Sequence, residues 1–204
     1  MLFAVHISSG VLANGWIAGG FLGLAILLLP ALWKLSEDDV PRIGVFTAAF
    51  FIASSIPVPV PFVVASVHLI LNGLIGVTLG RRAMLAIAVG LVMQSLLLNH
   101  GGIEALGVNA CIMGVPAILA GLLFPLLKRL GLPAALRGFL LGAGAVAATA
   151  GLNFFVLLVG GKEDWELLAK LVLIAHIPVA LVEGTLLGTL VRYLEKVKPE
   201  LLGT

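Results

Sequence analysis

The sequence predicts an all-α integral membrane protein, a bundle of about seven transmembrane helices with its N-terminus outside and its C-terminus in the cytoplasm. Two observations support this fold class. The 204 residues are 61% hydrophobic and 11% charged, with a mean hydropathy of +1.20, whereas soluble domains have roughly 45–50% apolar and about 25% charged residues. The basic residues also fall almost entirely on one side of the predicted spans, as multi-pass membrane proteins require.

Apolar stretches follow one another along the whole chain, and a membrane helix needs roughly 20 mostly apolar residues. They predict one transmembrane domain over residues 1–204, with no repeat, no linker and no room for a soluble catalytic domain. The predicted spans are about Val11–Leu35, Ile43–Val58, Val64–Leu79, Ala83–Leu98, Gly107–Leu127, Ala134–Val159 and Glu166–Tyr193.

The basic residues predict the orientation, because lysine and arginine accumulate in cytoplasmic loops. Of the twelve, only Lys162 and Lys170 lie toward the other side of a seven-span arrangement. The C-terminus is therefore expected inside and the N-terminus outside. The ten that share the predicted cytoplasmic side are Lys34, Arg42, Arg81, Arg82, Lys128, Arg129, Arg137, Arg192, Lys196 and Lys198.

Three of the four histidines, His6, His68 and His100, fall on the predicted outer side at similar depth. Polar residues at membrane depth are costly and are functional candidates by default, and neutral imidazole is a common metal ligand. Each alone is compatible with an ordinary interfacial histidine, but together they favour a metal site. His68 and Asn72, four residues apart, are predicted to share a helix face. Cys111 is the only cysteine, which excludes a thiolate cluster and an internal disulfide.

His176 and Glu183 lie in the last predicted span, seven residues and about two helical turns apart. Pro178 between them is expected to kink that helix. An intramembrane glutamate relays protons or ions in some proteins and holds helices together in others. Because Glu183 falls toward the cytoplasmic half, away from the outer histidines, the structural role is favoured.

Glycines recur at every fourth position in several spans, a spacing that lets helices approach closely. Most of these stripes are expected to pack inside the bundle, while the one in the first span is also a candidate for docking a partner subunit. The stripes are Gly15/Gly19/Gly23, Gly76/Gly80 and Gly184/Gly188.

Four stretches resemble one family, in the family's order and over nearly the whole chain: HISSGVL, SVHLILNGLIG, HGGIEALGVNACIMGVPA and HIPVALVEG. The chain resembles the CbiM/NikM family, the substrate-binding membrane subunits (S components) of energy-coupling factor transporters for cobalt and nickel. The resemblance implies a subunit of the prokaryotic cytoplasmic membrane that binds Ni²⁺ or Co²⁺ as its transported ligand and has no cofactor.

The same resemblance implies partners: a transmembrane T component, two cytoplasmic ATPases and in many cases a small accessory membrane subunit. No Walker A pattern, GxxxxGK[ST], occurs in the chain. The chain is therefore expected not to be an enzyme, with ATP hydrolysis on the partner subunits. Its net charge of +2 gives no reason to expect a nucleic-acid partner.

Family members begin Met-His, and the resemblance implies that the terminal amine, the amide and ring of that histidine, and a second histidine chelate the ion. Carried over, Val5 supplies the amine, His6 is the chelating histidine and His68 is the second one, with residues 1–10 as an outer metal-binding loop. Planar nitrogen coordination suits Ni²⁺, and loss of the amide proton makes affinity rise with pH. Residues expected around these ligands are His100, Asn109, Asn72 and Ser66.

The start of the chain departs from the family pattern, because MLFAV precedes His6 and an extended amine cannot close the chelate ring. Three alternatives follow: initiation at a GTG codon at Val5, proteolysis after Ala4, or retention of the extension with a different ligand set. We favour the first. Ser9, where many members have an acidic residue, is a second departure that removes a hydrogen-bond acceptor near the loop.

Two other functions stay open from the sequence. One is a stand-alone proton- or cation-coupled secondary carrier that uses Glu183 and His176 as a relay, although the inverted repeats common in such carriers are not found. The other is a structural membrane subunit that binds no metal. The sequence does not distinguish nickel from cobalt, since both accept nitrogen ligands.

Overall fold

A computed structural model describes residues 6–59 and 66–202 of the chain, and most of them are helical. A short antiparallel hairpin, β1 (Val58–Pro59) with β2 (Ser66–Val67), precedes the third helix. The α-helices of the described residues are α1 (Asn14–Leu32), α2 (Asp39–Ser55), α3 (Asn72–Leu79), α4 (Ala83–Leu97), α5 (Leu106–Arg129), α6 (Ala134–Gly160) and α7 (Glu166–Val197). Two 3-10 turns follow α3 and α7, at Gly80–Arg82 and Pro199–Leu201.

Five stretches of the described residues are long and apolar enough to cross a membrane, as expected of a multi-pass membrane protein. One of them combines α3, the turn after it and α4. The helix α2 has 17 residues and is not among the five. The count of seven separate spans therefore stays a prediction. The five stretches are Asn14–Leu32, Asn72–Leu97, Leu106–Arg129, Ala134–Gly160 and Glu166–Val197.

Basic residues of several elements meet at one end of the bundle, which we call the basic end. Arg82 pairs with Asp39 at 2.6 Å and so joins the start of α4 to the start of α2. Arg42 donates to the carbonyl oxygen of Leu201, next to the end of α7. The 24 residues of α5 lead from this end to the opposite one, a distance of about 36 Å at 1.5 Å per residue. The opposite end carries His6, and we call it the histidine end.

The structure corrects the predicted third span, about Val64–Leu79. Among its described residues only the eight residues of α3, Asn72–Leu79, are helical. Ser66 and Val67 form the strand β2, and Leu71 turns the chain with a φ of +55° just before α3. The prediction that His68 and Asn72 share a helix face is therefore wrong. The proline-rich IPVPVP stretch just upstream favours extended backbone. The prediction of a span rested on apolar composition and did not take these prolines into account.

Three glycines of the predicted stripes, Gly76, Gly184 and Gly188, serve packing inside the bundle, as expected. A Cβ at Gly76 would overlap the carbonyl oxygen of Ala117, so α3 and α5 touch backbone to backbone. Added Cβ atoms at Gly184 and Gly188 would lie 2.9 and 2.6 Å from carbonyl oxygens of α6. Gly80 serves the turn after α3 instead, since its φ is +54°.

The stripe of α1 divides between two environments. A Cβ at Gly23 would lie 2.9 Å from the sulfur of Cys111, which places Gly23 in the contact between α1 and α5. Gly15 and Gly19 have no atom within 4 Å of an added Cβ. They line an open apolar groove of about 550 Å³ formed by α1, α5 and α6. Gly15 and Gly19 thus lie on an outer surface of the described bundle, while Gly23 does not.

Candidate metal centre

The three histidines predicted on one side of the membrane come together at the histidine end. The ring centroids of His6 and His68 are 4.8 Å apart, and the two rings are stacked. His100 lies 5.4 Å from His6 and 6.4 Å from His68, measured between centroids. His6 and His68 are only 3% and 2% exposed, whereas His100 is half-buried. The centre of the cluster is therefore the His6–His68 pair.

The ring nitrogens of this pair are available to a ligand. Neither ring nitrogen of His6 has a hydrogen-bond partner among the described residues. The Nδ1 of His68 lies 3.0 Å from the carbonyl oxygen of Leu69, which can only accept, so Nδ1 carries the proton. The Nε2 of His68 then presents a buried lone pair with no partner in residues 6–59 and 66–202. Buried polar atoms are rarely left unsatisfied, and a metal ion would satisfy the lone pair of His68 and one ring nitrogen of His6, the other ring nitrogen of His6 carrying the proton.

The environment of His6 keeps its ring neutral. Burial lowers the pKa of His6 well below its usual value of about 6.5. Repulsion from His68, His100 and His176 lowers the pKa of His6 further. Burial also lowers the pKa of His100. Because a metal binds the unprotonated imidazole, the folded chain holds His6 in the form that a metal ion requires.

Hydrogen bonds to α5 and to the loop before it hold the segment that follows His6. The side-chain oxygen of Asn109 accepts from the backbone N–H of Ile7 at 2.9 Å, and its amide nitrogen donates to the Ile7 carbonyl at 2.9 Å. The N–H of Gly10 donates to Glu104 at 3.1 Å. Asn109 was a predicted neighbour of the ligands. Glu104 was not predicted to lie near the ligands. The only indication in the sequence is that Glu104 lies within the HGGIEALGVN block.

The loop between α4 and α5 covers His6 because two glycines adopt backbone angles that other residues avoid. Gly101 and Gly102 both have φ of +75°. A Cβ at Gly101 would lie 3.3 Å from the Cβ of His6 and 3.7 Å from its Nδ1. A Cβ at Gly102 would overlap the hydroxyl of Ser9. The HGG sequence thus gives a close cover over the histidine pair.

The other predicted neighbours lie at different depths. Ser66 is buried in β2, two residues before His68, and its hydroxyl has no partner in the described chain. Asn72 lies in the core, where its amide nitrogen donates to the hydroxyl of Thr149 at 2.7 Å and to the Met113 carbonyl at 3.3 Å. Its hydrogen bonds therefore hold helices together rather than histidines. Val5, the predicted source of the amine, lies outside the described residues.

Within residues 6–59 and 66–202, no three His, Cys, Asp or Glu side chains are arranged to share one ion. The ligand set implied by the family resemblance takes only two side chains, those of His6 and His68. Its remaining nitrogens are the main-chain amide of His6 and the terminal amine, and the latter falls outside the described residues.

His176 and Glu183 have separate surroundings. The Nδ1 of His176 lies 2.7 Å from the carbonyl oxygen of Val172, on its own helix. The Glu183 carboxylate accepts hydrogen bonds from the backbone N–H groups of Ile70 and Leu71. No hydrogen bond joins His176 to Glu183 in the described part of the chain. Glu183 thus joins α7 to the segment just before α3.

Comparison with known proteins identifies the class of membrane protein to which the chain belongs. The family model described as "Cobalt uptake substrate-specific transmembrane region", CbiM, matches residues 6–201. A "Putative metal transport protein" of Haemophilus influenzae is 37% identical over 97% of each chain. A "Cobalt transport protein CbiM" of Geobacter sulfurreducens is 31% identical over 98% of this chain, which spans 62% of that relative.

A crystal structure of a "transition metal transporter" superposes with a TM-score of 0.83 at 26% identity, over 96% of this chain and 94% of that one. In Methanocorpusculum labreanum a "Putative fused cobalt transport protein CbiMQ" is 28% identical over 97% of this chain, which covers 36% of the fused protein.

The matching family model and relatives identify this helical bundle as a membrane component of transition-metal uptake. The chain belongs to the CbiM family, the substrate-specific transmembrane components of cobalt uptake.

Proposed function

We propose that the chain is the S component of an energy-coupling factor transporter, and that it captures Ni²⁺ or Co²⁺ at the histidine end. The observation that carries the proposal is the buried His6–His68 pair, whose centroids lie 4.8 Å apart and whose free nitrogens face no partner among the described residues. Nitrogen-rich sites suit nickel and cobalt, whereas Mg²⁺ and Ca²⁺ prefer oxygen ligands.

The proposed ligands are the ring nitrogens of His6 and His68, the backbone amide of His6 and the terminal amine of a chain that starts at Val5. The Ile7–Asn109 hydrogen bonds support this set, since they hold the main chain beside His6 in place. His100 closes the site from above without being a ligand.

The basic end is proposed to face the cytoplasm of a prokaryotic inner membrane, because lysine and arginine accumulate on that side. The ion would then be captured on the outer side of the membrane and released into the cytoplasm. The fused CbiMQ relative supports a partner membrane subunit, which we assign to the T component. Two cytoplasmic ATPases would supply the energy, with a small membrane subunit as an optional fourth partner.

Intact mass spectrometry of the protein expressed from its native gene, with and without nickel, tests the proposal. We expect a chain that starts at residue 5 as Met-His or Val-His and holds one ion. His6→Ala is expected to lose that ion, because the substitution removes the ring and its bridge to the amide. A chain that keeps MLFAV and still binds nickel would require another ligand set.

Two results would contradict the proposal as a whole. Metal uptake that continues in cells without any partner ATPase would favour a secondary carrier. Failure of the purified protein, with a verified N-terminus, to bind any divalent ion would favour a structural subunit.

Replacement of Gly19 by leucine tests the docking surface proposed for the T component. Gly19 faces an open groove, so the fold and nickel binding are expected to stay unchanged while co-purification of the T component falls at least about tenfold, as a lost contact of about 1.4 kcal/mol would give. Gly44→Leu, at an equally open position on α2, is the control. Loss of nickel binding with intact assembly would contradict the assignment.

A further inference from the structure

The backbone just before α3 lies inside the bundle, and its N–H groups need hydrogen-bond acceptors. Water is not available in the membrane core to satisfy them. Glu183 of α7 supplies the acceptors. Its Oε1 accepts from the N–H groups of Ile70 and Leu71, the second at 3.1 Å, and its Oε2 also accepts from Leu71 at 3.0 Å.

These hydrogen bonds act on the short segment that carries His68. Ile70 is fully buried, and Leu71 has the uncommon φ of +55°. Only Leu69 separates His68 from Ile70, and its carbonyl receives the Nδ1 proton of His68. The position of the His68 ring therefore depends on backbone atoms that Glu183 holds.

The support on the other side of this contact is rigid. Glu183 is 3% exposed. A Cβ at Gly142 would lie 2.7 Å from the Glu183 carbonyl oxygen, so α7 presses against the backbone of α6 at this level. The start of α3 is also held by Asn72, which bonds to Thr149 of α6 at 2.7 Å.

We propose that Glu183 is a positioning residue for metal binding: by holding the backbone of Ile70 and Leu71 it places His68 against His6 and so sets the affinity for the ion. The inference rests on the proposed function, since it needs His68 as a ligand. Both carboxylate oxygens of Glu183 are already engaged by N–H groups, so Glu183 acts through the backbone and not as a ligand.

The test is nickel titration by calorimetry on the purified full chain with a verified Val5 or Met-His start. Partners that orient metal ligands typically contribute about 10–100-fold in affinity, and Glu183→Ala is expected to raise the Kd by that amount, with one ion still bound per folded chain. The nickel absorption bands should stay at the wild-type wavelengths, since the ligand atoms are unchanged. Glu183→Gln retains one oxygen acceptor and is expected to restore part of the affinity, leaving the Kd about 3–10-fold above wild type.

Glu195 is the matched control, because it lies on the same helix and pairs with Arg137 at the basic end. Glu195→Gln is expected to leave the Kd within twofold of wild type. A purely structural role for Glu183 predicts a different result: fewer binding-competent molecules and a lower melting temperature, with an unchanged Kd. That result, or wild-type binding by Glu183→Ala, overturns the inference.

Two further experimental results also have a defined interpretation. Where Glu183→Ala gives no folded protein, Glu183→Gln decides: a Kd at least threefold higher supports the inference and an unchanged Kd overturns it. If wild-type protein binds neither nickel nor cobalt, or if His6→Ala binds the ion normally, the proposed function fails, and the inference fails with it. Nickel binding that needs His6 but not Glu183 overturns the inference alone.

Discussion

Replacement of His68 by alanine is expected to raise the Kd for nickel by more than about 100-fold, since loss of a ligand exceeds the 10–100-fold effect of losing a partner that only orients one. The His68 ring is 2% exposed and stacks on His6 at 4.8 Å. Its Nε2 faces no partner in the described chain.

The measurement is calorimetric titration of nickel, together with the absorption spectrum of the bound ion. Loss of a nitrogen ligand should move the nickel bands, which separates His68→Ala from substitutions at Glu183. His100→Ala is the control: its ring is half-buried at the edge of the cluster, and we expect an effect of no more than about tenfold, at the low end for an orienting partner. A larger loss for His100→Ala than for His68→Ala would reverse the two roles.

The gathering of His6, His68 and His100 was predictable from the sequence because it depends on only two quantities. The lengths of the apolar stretches place each histidine near a span end, and the basic loops assign all three ends to one side. Depth and side together bring residues that are distant in the chain to one end of the bundle, without any knowledge of which helices are neighbours.

The start of α3 was not predictable in the same way. Residues 66–71 are apolar enough to continue a span, but they are not helical: Ser66 and Val67 pair with β1, and a carboxylate from α7 accepts from the N–H groups of Ile70 and Leu71. Glu183 lies 112 residues from Leu71 in the chain. A local pattern carries no information on such a contact, so the sequence alone placed Glu183 away from the outer histidines.

The glycine stripes show the same limit of prediction from local sequence, here for helix packing. Spacing by four predicts that a helix face is small, but it does not say which neighbour covers that face. Gly23 meets Cys111, whereas Gly15 and Gly19 in the same stripe meet nothing within 4 Å of an added Cβ. The difference arises because α5 covers the face of α1 with Gly20 and Gly23, whereas Gly15 and Gly19 border the open groove.

Gly76→Ala is expected to destabilise the protein by at least about 3 kcal/mol, the upper range for overpacking a well-filled core. The added Cβ would overlap the carbonyl of Ala117 in α5. Backbone atoms cannot rotate away as a side chain can. The opposing glycine is equally close, since a Cβ at Gly121 would lie 2.5 Å from the Gly76 carbonyl oxygen. Relief therefore requires α3 and α5 to separate.

Thermal unfolding in detergent, followed by circular dichroism, measures the effect, and Gly144→Ala is the matched control. Gly144 lies within α6 and has no atom within 4 Å of an added Cβ, so the same substitution there should stabilise the helix by roughly 0.5–1 kcal/mol. Because α3 follows directly on the segment that carries His68, Gly76→Ala should also weaken nickel binding in the molecules that still fold. Equal melting temperatures for the two variants would mean that α3 and α5 do not touch through Gly76, and the placement of α3 as a half-helix against α5 would then be wrong.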